Sequence, residues 1–72
     1  MKEKIIAVIE DMLSLKTGTI QEDTKIEEIE EWDSLMHVMI IGRLEEELGI
    51  SIPLEQTMDM TTVRQLLDRA GA

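Results

Sequence analysis

Apolar residues in this chain fall in bands of helical period separated by two polar stretches, one long and one short. Between residues 3 and 15, Ile5, Val8, Ile9 and Met12 recur at i, i+3, i+4 and i+7, with Ile6 and Leu13 widening the stripe. This spacing predicts a first amphipathic helix. The helix should stop near Lys16-Thr17-Gly18, where glycine can take the left-handed conformation just past the helix and Lys16 lies close to the negative helix end.

Residues 16–33 read as a long connection, which in a compact domain calls for either a function or its own anchors. The anchors are Ile20, Ile26, Ile29 and Trp32, set among Glu22, Asp23, Glu27, Glu28, Glu30 and Glu31, so the loop can pin itself to a core while its acids stay in water. A second helix should run from Asp33 or Ser34 to about Leu48, with one of those two residues as N-cap and Gly49 as the stop. On that helix His37, Ile40, Ile41, Leu44 and Leu48 form a stripe about 100° wide, the expected core face. Leu35, Val38 and Met39, with Gly42, fall on the opposite side and should meet solvent.

Ile50, Ile52 and Pro53 make a short extended piece, and Leu54 to Met58 can form one helical turn. Thr62 with Gln65 three residues on makes a capping box, after which Val63, Leu66, Leu67 and Ala70 repeat with helical spacing, so a last helix spans about 62–69. There is no strand alternation, repeat or low-complexity tract. The expected fold is all-α: a small bundle of three helices and one extra turn, with a long loop between the first two helices.

Size and composition narrow the function. The 72 residues allow one domain, 1–72, which buries only about 60% of the surface its unfolded chain exposes. Pockets that enclose a substrate among several catalytic groups usually need more scaffold, and this chain has no Cys, Tyr or Phe and a single His. An autonomous enzyme is not expected. Zero cysteines exclude a disulfide framework and thiolate metal sites, and fit a reducing cytoplasm. The apolar run after Met1 ends at Glu10 and Asp11, well short of a signal sequence or a membrane span. Sixteen acids against seven bases give a net charge of −9, which repels nucleic acid and anionic membranes and attracts basic protein surfaces. The acids lack the D-x-[DN]-x-[DN]-G spacing of a calcium loop, so no metal site is expected and a solvated, partner-steering face is.

Ser34 is the residue best placed for chemistry, at the positive end of the second helix, after an acidic loop and before an apolar turn. A phosphate esterified to its hydroxyl would meet outward-pointing backbone N–H groups. Capping alone would also account for a serine there. His37 lies one turn from Ser34, but its place on the core stripe makes it a structural residue at the core boundary. Trp32, the only aromatic residue, reads as a loop anchor.

The wider context discriminates among these readings. Glu31-Trp32-Asp33-Ser34-Leu35 is followed by His37-Val38, then Leu44-Glu45-Glu46-Glu47-Leu48-Gly49-Ile50, Ile52-Pro53 and Thr61-Thr62-Val63. That order and spacing resembles the acyl carrier protein family along nearly the whole chain. The resemblance implies the family's small helical bundle and a 4′-phosphopantetheine arm attached to Ser34 from coenzyme A by a separate phosphopantetheinyl transferase. Acyl groups would be held on the terminal thiol as thioesters and passed to partner enzymes of fatty-acid, polyketide or specialised lipid biosynthesis. Asp33 and Leu35 flank the attachment serine in the same motif, and for Asp33 a contact with the transferase and a helix cap remain alternatives. Leu35, Val38, Met39, Glu45 and Glu46 become the candidate partner-binding face. The partners implied are the transferase and acyl-activating, condensing or transferase enzymes with basic docking surfaces, met by a cytoplasmic monomer.

One feature departs from the housekeeping fatty-acid carriers of that family, which usually have a small residue before the Asp and acids in the turns after the Ser. Here Trp32 precedes Asp33, and Met36 and Met39 occupy those turns, which looks more like carriers dedicated to polyketide, specialised lipid or aminoacyl transfer. The competing reading from another class is a non-modified acidic helical adaptor that docks a partner groove through Leu35, Val38 and Met39.

Overall fold

A computed structural model describes residues 1–71; Ala72, the end of the expected domain, lies outside the described residues. Helix α1 spans Lys2–Met12, α2 Ser34–Leu48 and α3 Val63–Arg69, with short 3₁₀ turns at Ile26–Glu28 and Leu54–Gln56. Among the described residues there is no strand, only one isolated antiparallel bridge between Lys25 and Thr62. The expected all-α bundle with its long first connection is the fold observed.

The periodic apolar positions converge on one core. Ile5 and Ile9 of α1, Ile40, Ile41 and Leu44 of α2, and Val63, Leu66 and Leu67 of α3 are all buried, and Ile20, Trp32, Ile52 and Met60 from the connections join them. His37 and Leu48, at the ends of the α2 stripe, are only half-buried. Leu35 remains 68% exposed, Val38 50% and Met39 49%, so α2 shows solvent an apolar face opposite the buried one.

The first helix ends earlier than its apolar pattern suggests. Residues 16–18 were the expected stop, but α1 closes at Met12 and Ser14 takes the left-handed conformation at φ 58°. The Ser14 N–H donates to Asp11 O (3.1 Å) and the Leu15 N–H to Glu10 O (2.8 Å), the paired bonds of a Schellman end with serine in the usual glycine place. Gly18, at φ 93°, serves the next turn instead. Its N–H and that of Ile20 donate to one oxygen of Glu10, at 2.9 and 3.0 Å. Glu10 is therefore a buried residue, 4% exposed, whose carboxylate neutralises two loop N–H groups that would otherwise be orphaned beside the core.

The loop then caps α3. The first N–H groups of a helix have no partner inside it, and here Val63 N–H donates to Thr24 O (3.0 Å) and Arg64 N–H to Glu22 O (2.7 Å). The Ile26 N–H returns a bond to Thr61 O at 2.9 Å. The expected capping box is present, with Gln65 Oε1 accepting from the N–H of Thr61 (2.6 Å) and of Thr62 (3.2 Å). Glu22, expected among the solvated acids, is half-buried and lies between Lys2 (3.5 Å) and Arg64 (3.8 Å).

Two substitutions test these assignments in chemical denaturation. Leu44→Ala, at a fully buried position, should cost roughly 2–5 kcal/mol, and a loss below about 0.5 kcal/mol would place Leu44 on the surface instead. Glu10→Ala should cost roughly 1–3 kcal/mol for the buried Ile20 N–H it strands, whereas Asp11→Ala, one residue on and exposed, should leave stability nearly unchanged.

Candidate functional site

The start of α2 is set by Asp33. Its backbone is extended (φ −98°, ψ −175°) and its carboxylate accepts from the N–H of Met36 at 2.8 Å, so Asp33 is the N-cap and Ser34 the first helical residue. Of the two N-cap candidates read from the sequence, this selects the first. Ser34 is exposed, and the N–H groups of the opening turn lie beside its hydroxyl end of the helix.

Ser34 also stands at the edge of a cavity of about 310 Å³. Asp33, Ser34, His37 and Val38 form the α2 side of this cavity, Ile26 and Trp32 come from the long connection, and Leu54, Thr57, Met58 and Met60 come from the segment before α3. The lining is therefore apolar over most of its area, with its polar groups gathered near the helix start.

Three of them, Trp32, His37 and Thr57, are joined by hydrogen bonds. The Trp32 indole Nε1–H donates to His37 Nδ1 at 3.0 Å, and His37 Nε2 lies 2.8 Å from Thr57 Oγ1. The Thr57 hydroxyl donates onward to Leu54 O at 2.6 Å. Because an indole N–H can only donate, Nδ1 must be the acceptor, so the neutral imidazole carries its proton on Nε2 and gives it to Thr57. Burial pushes the His37 pKa below its ordinary value of about 6.5, in keeping with a ring held neutral between two fixed partners. His37 is thus the structural residue at the core boundary that its place on the stripe suggested, and Trp32 is a buried loop anchor as well as a hydrogen-bond donor.

The remaining residues singled out in the sequence divide into two groups. Leu35, Val38 and Met39 are exposed together on the outer face of α2, and Glu46 is exposed further along the helix. Glu45 does not project freely as the helical pattern suggested. It is half-buried, and its Oε2 accepts from the Ile52 N–H at 2.7 Å, holding the 50–53 segment against the end of α2. Gly49 stops the helix as expected, at φ 65°, with its N–H on Glu45 O at 2.9 Å. Glu10, Glu45 and Thr57 are the working polar residues that the sequence did not disclose. No grouping of His, Asp or Glu among the described residues could hold a metal ion, and no helix among them is long and apolar enough to cross a membrane.

Residues 3–70 match the protein family described as a phosphopantetheine attachment site. A protein named acyl carrier protein, from Thermosynechococcus vestitus, is 36% identical over 66 residues, covering 92% of this chain and 82% of that protein. The chain belongs to the acyl carrier protein family. It is accordingly a carrier and not an enzyme, and its cofactor is phosphopantetheine. The residues around α2 fit such a group. Ser34 is exposed at the first position of a 15-residue helix, where the opening backbone N–H groups that Asp33 does not take can meet a phosphodiester, and the adjoining apolar cavity offers room beside it.

Proposed function

We propose that Ser34 carries the 4′-phosphopantetheine arm and that the carrier presents acyl groups on it, as thioesters, to the enzymes of a biosynthetic pathway. The observation that carries this reading is the placement of Ser34: exposed, first in α2 and on the rim of the cavity. The arm supplies a terminal thiol on which an acyl group is held. The chain's own contribution is to cap the helix with Asp33, expose the serine to the transferase and keep the tethered group at high effective concentration when a partner docks.

Leu35, Val38 and Met39 supply the contact surface for those partners, and the acids around it, Glu46 among them, steer basic surfaces towards it. The partners are a phosphopantetheinyl transferase and acyl-activating, condensing or transferase enzymes, met by a monomer in the cytoplasm. Trp32 before Asp33, and Met36 and Met39 in the first turns of α2, favour a carrier dedicated to polyketide, specialised lipid or aminoacyl transfer over the housekeeping fatty-acid role.

Incubation with coenzyme A, magnesium and a broad-specificity transferase should raise the mass of the chain by one phosphopantetheine, and Ser34→Ala should abolish the gain. A folded native chain that stays unmodified with several transferases would overturn the assignment and leave the adaptor reading in its place. Docking divides by range. Glu46→Lys should slow association with the transferase, and the defect should shrink as salt shortens the Debye length to about 8 Å at physiological ionic strength. Val38→Ala and Met39→Ala should instead speed dissociation with little salt dependence. Stopped-flow binding at several salt concentrations reads both rates.

A further inference from the structure

Three separate parts of the chain meet on His37. Trp32 comes from the end of the long connection, His37 from α2 and Thr57 from the turn after Leu54–Gln56, and all three line the cavity beside Ser34. These hydrogen bonds run in one direction only: indole to Nδ1, Nε2 to Thr57, Thr57 to Leu54 O. An imidazolium has a proton on both nitrogens. It can keep Thr57 as an acceptor, but its Nδ1–H would confront the Trp32 Nε1–H, donor against donor. Protonation therefore breaks the link between the connection and α2 while sparing the link to the 54–60 segment.

We propose that the neutral imidazole of His37 is a latch that holds the wall of the cavity beside Ser34 closed, and that protonation releases Trp32 and opens it. The function of the latch rests on the reading of Ser34 as the arm site, which makes this cavity the arm's immediate surroundings; the geometry does not. Phosphodiester charge on Ser34 would act on the same ring, since residues three apart on a helix are neighbours. A negative group there favours the imidazolium, so loading the carrier loosens the latch.

The charged groups on the surrounding elements are nearly all acids. Asp33 lines the cavity with its carboxylate on the Met36 N–H. Glu27 and Glu28 lie on the first 3₁₀ turn, Glu30 and Glu31 precede Trp32, and Glu55 and Asp59 flank Thr57, all of them exposed. Lys25 is exposed before the first turn, and Arg69 of α3 is engaged with Gln56 O and Asp59. The acids named are exposed to solvent, and burial of the ring holds the His37 pKa below its ordinary value. The latch is closed above the ordinary histidine pKa of about 6.5 and opens as pH falls through the lower value of the folded chain.

The chain contains one histidine and one tryptophan, so each end of the latch has its own signal. In nitrogen-detected NMR of the unmodified chain, His37 should show the Nε2–H tautomer near neutral pH and a titration midpoint below that of a free histidine. The Trp32 indole N–H resonance should move with the same midpoint, and acrylamide quenching of Trp32 should rise through it. His37→Gln keeps an acceptor for Trp32 and a donor for Thr57 but does not titrate, so its quenching should stay flat over the same range. An Nδ1–H tautomer, a midpoint at or above that of a free histidine, a Trp32 signal indifferent to the titration, or a His37→Gln chain that responds like the native one would each overturn the latch. In the chain loaded with phosphopantetheine the midpoint should move to higher pH, and an unmoved midpoint would overturn its link to the arm. A chain that refuses the arm would sink the reading of Ser34 as its site while the titration of the unmodified protein stood on its own.

Discussion

The long connection between α1 and α2 can position the start of α2 only if its own backbone groups find partners, and it finds them on both other helices. Glu10 of α1 takes the N–H groups of Gly18 and Ile20, and the carbonyls of Glu22 and Thr24 take the first free N–H groups of α3. Each contact removes two deficits at once, since the loop and the helix end would both leave polar groups unpaired beside the core. Ile20 and Trp32 then bury the loop's apolar side. The connection thus joins α1 to α3 and delivers Asp33 to the place where α2 begins, so the exposure of Ser34 follows from anchors as distant in the chain as Glu10 and Arg64.

Helix α2 meets a second constraint, because it is apolar on two opposite faces and only one of them is covered by the core. Ile40, Ile41 and Leu44 occupy one side completely, whereas Leu35, Val38 and Met39 remain in water on the other. Folding alone gains nothing from the second set. A helix apolar on both sides in so small a domain fits the docking role proposed for the outer one, and a net charge of −9 favours a basic surface as its counterpart.

The sequence made the periodic and capping features legible because each of them is local. Ile5 and Ile9, Ile40 to Leu44, and Val63 to Leu67 declare their helices by spacing, and Gly49 and Gln65 declare ends by chemistry that acts within four residues. Asp33 was confined to a choice of two. What escaped is non-local or locally disfavoured. Nothing in the sequence marks Ser14 as the left-handed residue in preference to Gly18, since the choice depends on where Leu15 must go. Glu10 and Glu45 looked like surface acids because their partners, at Gly18, Ile20 and Ile52, lie seven to ten residues away in chain segments without regular structure. Thr57 was invisible for the same reason, being 20 positions from the histidine it holds.

The hydrogen-bond pattern around Ser34 explains why a carrier of this size does no chemistry itself. Activating a hydroxyl requires a base within hydrogen-bond reach with a lone pair to spare. Asp33, the nearest carboxylate, is committed to the helix as its cap, and His37, one turn on, has its only free lone pair occupied by Trp32 and its proton given to Thr57. Each polar side chain that lines the cavity beside the serine is thus engaged in holding the fold around it. The serine is left exposed but not activated, which suits the proposal that another enzyme's active site attaches the arm to it.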